Sequence, residues 1–342
     1  MDKTLIDSIK KYSKELGFSL FGITRPEQIQ DIEFYKKFLE DGFDADMTYL
    51  RNYLDKREYP SLLFEGVKSI ICVGLNYYYP FEENKQNEYK IAKYALGKDY
   101  HIFMKEKLNY LLAYIKEIYP NADGKICVDT APVLEKSLAQ RAGLGWIGKN
   151  TLLVSYNKGS YFLLGELFLN IELEYDEAEK NHCGNCRKCV DSCPTKALFE
   201  PYKLNSNLCL SYQTIESKKE IPKELISLVK NNLFGCDICQ DVCPWNKKFA
   251  KASDITEIMP NDYLKEKTLE DLLELEQEEF SKIFKNTAIK RSKLRGIIRN
   301  AISVAVCSKN KKYIPILKKL TEHNDTLVKN QAMLGLEILF SD

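Results

Sequence analysis

The sequence predicts three regions: an α/β amino-terminal domain with a mixed sheet over 1–175, a cysteine-rich segment over 176–250, and an all-α domain of HEAT-like helical repeats over 251–342. Three observations carry this. Up to about residue 175, short apolar runs alternate with stretches of helical periodicity. Eight of the eleven cysteines then fall between Cys183 and Cys243. From about 251 onward the periodicity is helical.

At 342 residues and 44% hydrophobic content, the chain has material for two or three domains with sizeable cores. A net charge of +1 gives no global bias toward nucleic acid or membrane, so any such bias must be local. Met1–Leu16 is charged and amphipathic rather than leader-like, and the most apolar stretch, 161–170, is too short to span a bilayer. A soluble, cytoplasmic protein with reduced thiols is expected.

In the first region Leu5, Ile9, Tyr12 and Leu16 have helical spacing, and Gly17 stops that helix. Phe18–Ile23 and Ser69–Leu75 are apolar strands. His101–Tyr119 is a long helix preceded by Asp99, a candidate N-cap, and ended by Pro120. Lys125–Val128 is a strand that delivers Asp129 at its end, and Thr130-Ala131-Pro132 is expected to start a helix running to Gly143. Thr151–Ser155 and Tyr161–Asn170 read as a strand pair around Asn157-Lys158-Gly159.

In the second region a run Cys183-x-x-Cys186-x-x-Cys189-x-x-x-Cys193-Pro194 is followed by Cys236-x-x-Cys239-x-x-x-Cys243-Pro244. The first is the bacterial two-cluster ferredoxin spacing, and the second is that spacing without its first cysteine. A [4Fe–4S] cluster takes four thiolates, and the fourth Cys of such a run ligates the other cluster. Cys183, Cys186, Cys189 and Cys243 are therefore expected to hold one cluster. Cys193, Cys236 and Cys239 hold the second, completed by Cys209. Zinc explains Cys-x-x-Cys pairs but not the third Cys or the two Cys-Pro ends. Cys72, Cys127 and Cys307 lie in apolar runs and read as small core residues. Pro222–Asn231 is a helical arm between the two halves of the segment.

In the third region charge changes sign: 251–280 holds ten acids and three Lys, whereas 281–342 holds thirteen Lys/Arg and four acids. Helices are expected at 294–306, 314–320 and 327–339. The basic cluster Lys290, Arg291, Lys293, Arg295 and Arg299 is the kind of footprint that binds nucleic acid, or else a solvated face.

Two chemical features lie between strands. Gly143-Leu144-Gly145-Trp146-Ile147-Gly148-Lys149-Asn150 matches G-x-G-x-x-G and nearly matches a P-loop. Both motifs need a strand before and a helix after, and here the order is inverted, so neither nucleotide reading holds. Asp129, at a strand end, is a general-acid candidate if partial burial raises its pKa, or else an ordinary helix-start carboxylate.

Together, Lys93–His101 (KYALGKDYH), Val128–Pro132 (VDTAP), Arg141–Thr151 (RAGLGWIGKNT), Ser211–Glu216 (SYQTIE) and Phe234–Asn246 (FGCDICQDVCPWN) resemble the epoxyqueuosine reductases. The resemblance covers most of the chain in the family's order and includes the Cys209-Leu210-Ser211-Tyr212 join. One departure is Leu96, where the family favours Arg; a contact of that Arg is not carried over. The resemblance implies a cobalamin-dependent reduction of the epoxide of epoxyqueuosine, at the tRNA wobble position, to queuosine. It implies two [4Fe–4S] clusters fed by an external low-potential electron donor, helical repeats that hold tRNA, and Asp129 as the acid. Tyr100, His101, Arg141, Gly145, Trp146, Gly148, Lys149 and Asn150 become the expected cobalamin contacts. A monomer is expected, with no membrane partner. The competing readings are a corrinoid reductase of a small halogenated or epoxidised molecule and a ferredoxin-type carrier.

Overall fold

The computed structural model describes residues 3–80, 88–260 and 266–341. Its amino-terminal part is built on a four-stranded sheet: β1 (Leu20–Thr24), β2 (Ser69–Asn76), β3 (Gly124–Cys127) and β4 (Phe162–Leu169), in the order β1-β2-β4-β3. Every neighbouring pair is antiparallel, so the expected mixed sheet is corrected. The long helix, Tyr100–Ile118, does lead between two parallel strands, β2 and β3, as the alternation suggests. β4 inserts between them and runs against both. Alternation of elements in a sequence reports strand direction and leaves the order of neighbours open.

Side chains on β2 and β4 alternate between two cores, as the pleat requires. Ile71, Val73, Leu75, Leu167 and Leu169 face the helices Lys3–Glu15 and Tyr100–Ile118, where Ile9, Met104, Leu108, Leu111 and Ile115 are buried. Ile70, Cys72, Phe168 and, on β3, Cys127 face the helix Glu135–Arg141 through Leu138 and Ala139. Glu166 lies on this second face, opposite Cys72 on one side and Cys127 on the other. It is fully buried, and neither carboxyl oxygen has a hydrogen-bond partner among the described residues. Cys72 and Cys127 are core residues as expected.

Two local expectations are corrected. No helix starts at Thr130: Asp129 takes φ +50°, Thr130 N–H returns to the Val128 carbonyl and Val133 N–H to that of Ala131, and the helix begins at Glu135. The cause is local, since Ala131 precedes Pro132 and the residue before proline is driven out of the helical region. The helix ends as expected, with Gly143 at φ +74° and the Leu144 N–H on the Ala139 carbonyl. The expected pairing of 151–155 with 161–170 is also absent. Leu153–Val154 pairs with Trp146–Ile147, a Ser155–Gly159 bridge closes the turn, and the chain then leaves to become the sheet's second central strand.

The carboxy-terminal part holds helices Lys293–Cys307, Ile314–Leu320 and Thr326–Ser341, at the expected places. Residues 251–255, expected to be helical, form no regular element and are followed only by the 3-10 turn Thr256–Ile258; they lie along the amino-terminal part, where Ser253 N–H bonds the Tyr78 carbonyl. Residues 261–265 of that expectation lie outside the described residues. The helical core reaches back into the cysteine segment: Leu210, Ile221, Leu225, Ile226, Val229, Leu233 and Phe234 pack with Ile297, Ile298, Ala301 and Ile302. The arm helix, Lys223–Val229, thus belongs to this core. No helix among the described residues is long and apolar enough to cross a membrane.

Candidate active site

Asp129 and His101 meet across the sheet's edge. Asp99 caps the long helix by accepting the His101 N–H, and the same oxygen, Oδ1, lies 2.7 Å from His101 Nδ1. His101 Nε2 lies 2.9 Å from Asp129 Oδ2. The imidazole is thus held at both nitrogens by carboxylates. Their hydrogen bonds, Asp129's foremost, push its pKa up to about 9 against the cost of burial. Burial by itself would raise the Asp129 carboxyl, but the bond and charge of His101, the Arg291 charge and the Tyr100 hydroxyl bring it below its ordinary value. The expectation that burial keeps a proton on Asp129 is therefore corrected: at neutral pH the proton of this pair sits on His101. Tyr100 stacks on His101 with ring centroids 4.1 Å apart.

The pair opens on a cavity of about 350 Å³ lined also by Ile102, Asn286, Lys290 and Arg291. Arg291 is half-exposed there and pairs with Glu216 at 2.9 Å. Lys290 and Lys293 are exposed and Arg295 is partly buried. Arg299 is different: it is buried, and its guanidinium donates to the carbonyls of Gln213, Ser217 and Lys219 at 2.6–2.7 Å and to Asn300 Oδ1. Arg299 as a nucleic-acid contact is corrected, because every donor it has faces inward.

The cysteines gather in two adjoining sets. Cys183, Cys186, Cys189 and Cys243 line one cavity of about 410 Å³. Cys236 lies within electrostatic reach of Cys209 and Cys193, and Cys239 within that of Cys236 and Cys209; Cys239 also feels Cys189 of the first set. The Gly143–Asn150 segment, expected along a corrin, is engaged with these loops. Trp146 is buried and its indole N–H points at Cys183 Sγ, 3.4 Å away. Lys149 Nζ donates to the carbonyls of Gly184 and Cys186, and the Asn150 side-chain amide reaches that of Cys239 at 3.5 Å. A Cβ on Gly145, at φ +158°, would strike the Val154 carbonyl at 2.2 Å, and one on Gly148 would meet Asn150 Oδ1 at 2.8 Å. Arg141 is likewise spent, on Thr24 Oγ1 and the carbonyls of Arg25, Glu27 and Gln28. These contacts give the six positions a structural role in holding the loops, and Gly148, Lys149 and Asn150 also line the cavity of the first cysteine set. Buried Gln240 and Asn246 fix the second cysteine loop through Tyr77 and Ser160.

Sequence reasoning gave Asp99 only a capping role and passed over Glu135, whose Oε1 accepts the Asp129 N–H at 2.6 Å. The mistaken helix start at Thr130 hid it.

A proton held between imidazole and carboxylate, in a chain with two cysteine sets of cluster-binding spacing, defines an oxidoreductase that couples electrons to protons. Comparison with known proteins makes this specific. Residues 182–246 match the family model described as "4Fe-4S double cluster binding domain", and residues 57–130 that described as "Epoxyqueuosine reductase QueG, DUF1730". The epoxyqueuosine reductase of Leadbetterella byssophila is 43% identical over 293 residues, 85% of this chain and 95% of that protein. A crystal structure of epoxyqueuosine reductase with an epoxyqueuosine-modified tRNA-Tyr stem loop superposes with a TM-score of 0.90 at 27% identity, covering 98% of this chain and 99% of that one. The enzyme from Bacillus subtilis, solved with its catalytic loop swung out of the active site, gives 0.88 at 27% identity and covers 98% and 90%. The chain belongs to the epoxyqueuosine reductase family.

Proposed function

We propose that this chain reduces the epoxide of epoxyqueuosine, at the wobble position of tRNA, to the cyclopentene of queuosine. Loss of the epoxide oxygen as water consumes two electrons and two protons. The observation that carries the reading is the Asp99–His101–Asp129 chain, which holds a proton on the wall of a cavity that Lys290 and Arg291 also line. Opening the ring without protonation leaves an alkoxide, so a placed donor is worth roughly 10²–10⁴ in rate. His101 holds that proton on Nε2 against Asp129 Oδ2, and Asp129 takes it from His101 and gives it to the leaving oxygen. Lys290, Arg291, Lys293 and Arg295 supply phosphate contacts. A lining of this charge suits an anticodon stem loop better than a small neutral substrate.

Electrons would enter by way of two [4Fe–4S] clusters, Cys183, Cys186, Cys189 and Cys243 holding the first and Cys193, Cys209, Cys236 and Cys239 the second. An external low-potential donor in the cytoplasm would supply them to a monomeric enzyme. His101, with both ring nitrogens engaged by Asp99 and Asp129, would serve a cobalamin bound beside the pair as a packing and proton-holding neighbour rather than as a ligand. Tyr100 and His101 would neighbour it on the side of the acid pair, and Arg141, Gly145, Trp146, Gly148, Lys149 and Asn150 stay as proposed contacts on the side of the cysteine loops. When bound, cobalamin supplies a strongly reducing cobalt centre for the epoxide carbon.

Nucleoside analysis of tRNA from cells lacking this protein tests the reading. Accumulated epoxyqueuosine is expected; normal queuosine would refute it.

A further inference from the structure

The Asp129 turn is held by its neighbours more than by itself. Its φ of +50° is a conformation that L-residues other than Asn or Asp seldom take. Five residues separate Asp129 from Glu135, and none of them is helical. Two contacts fix Asp129 in space: His101 on its side chain and Glu135 on its backbone N–H. The two holders are themselves fixed. His101 sits in the first turn of the long helix. Glu135 begins a helix anchored on the sheet through Leu138 and Ala139, with Lys136 tied to the Thr151 carbonyl. Glu135 does not cap its own helix; its carboxylate folds back to the turn instead.

We propose that Glu135 is the positioning residue of the reaction: by accepting the Asp129 N–H it latches the turn with the Asp129 carboxylate against His101. The inference rests on the reading of Asp129 and His101 as the proton-donating pair. A loop of this kind has a second position in the Bacillus subtilis enzyme, which was solved with its catalytic loop swung out. A latch therefore has something to restrain. A hydrogen bond to a charged acceptor is roughly twice as strong as one to a neutral group, so the latch is tight when Glu135 is ionised and looser when it is protonated. The groups facing it are Asp129, His101, Tyr100, Lys136, Cys72, Cys127 and Glu166. Burial foremost and the Asp129 charge, set against the Asp129 N–H bond and the Lys136 and His101 charges, place its titration at about 7.

The test is amide hydrogen exchange over residues 128–134 of the cluster-loaded enzyme, read beside turnover of an epoxyqueuosine stem loop. Glu135→Ala should speed exchange of this segment about 10-fold or more, the loss expected for a hydrogen bond to a charged group. It should lower kcat in step and leave KM and iron content unchanged. Glu135→Gln keeps a neutral acceptor, so it should restore most of the protection while abolishing its pH dependence between about pH 6 and 8. Unchanged exchange in Glu135→Ala, or faster exchange with undiminished kcat, overturns the latch. Should the alanine variant not fold, a glutamine variant that keeps the wild-type pH dependence of protection overturns it equally. If the wild type fails to reduce epoxyqueuosine, the functional reading falls while the exchange result still decides the latch.

Discussion

At Asp129 two electrostatic effects oppose each other. Burial favours the neutral acid, whereas the bond to His101, helped by Arg291, favours the anion, and the anion prevails. The partner carries the consequence: His101, clasped by two carboxylates, keeps its proton to about pH 9. Turnover that needs this proton should fall as pH rises through about 9, a limb separate from the one Glu135 sets near 7, both read from a kcat–pH profile. Asp99→Asn removes one of the two carboxylate charges and should move that fall to lower pH; an unmoved limb would assign it to another group. Asp129→Asn should keep both clusters and lose roughly 10²–10⁴ in turnover. A strand end and a flanking VDTAP motif made Asp129 legible in the sequence. Its protonation state was not, because it depends on His101, 28 positions away.

Among the elements, the helix Lys293–Cys307 divides a uniform-looking basic cluster into two jobs. The turn that leads into it presents Lys290 and Arg291 to the cavity, while within the helix Arg299 and Asn300 point inward and tie the carbonyls of Gln213, Thr214, Ser217, Lys219 and Leu233. Arg299→Met would strand buried carbonyls and should cost about 3 kcal/mol or more in a thermal or denaturant melt. Arg291→Glu, which sets a second carboxylate beside Glu216, should cost less stability than Arg299→Met, weaken binding of a stem loop and reduce its salt slope by about 1. Residue type is the same at both positions; Arg291 lies in the 3-10 turn Ala288–Ser292 ahead of the helix and Arg299 inside it against the loops it bonds, and that placement is a tertiary fact. Cysteine spacing behaves differently. Each run has a fixed short spacing, C-x-x-C steps closed by C-x-x-x-C-P, so Cys183–Cys193 and Cys236–Cys243 could be read directly. Only Cys209 needed a count of what was missing. Cys209→Ser should leave the second cluster incomplete by iron content and EPR; eight irons retained would reject that ligand.

The whole molecule is more continuous than its composition suggests. Charge reversal and helical periodicity place a seam near 250, yet the helical core takes side chains from Tyr89 and Ala95 onward through Leu210–Phe234. Truncation after residue 250 should therefore expose Leu225, Ile226 and Phe234 and cost the second cysteine set its support. Loss of cooperative unfolding is the expected result.

Glu166, sealed in the central strand between two thiols, has a global consequence. Burial holds its proton in the native state well above the usual carboxylate range, whereas the unfolded chain releases it above about pH 4.5. The native state then binds the extra proton, so this residue favours folding fully below that value. Its contribution is lost progressively as pH rises toward the native pKa, at about 1.4 kcal/mol per unit. Glu166→Gln, which keeps the shape and cannot ionise, should raise Tm at pH 7.5 and change it little at pH 5. The sheet that carries the site is thus poised to be more robust in mild acid than at neutrality.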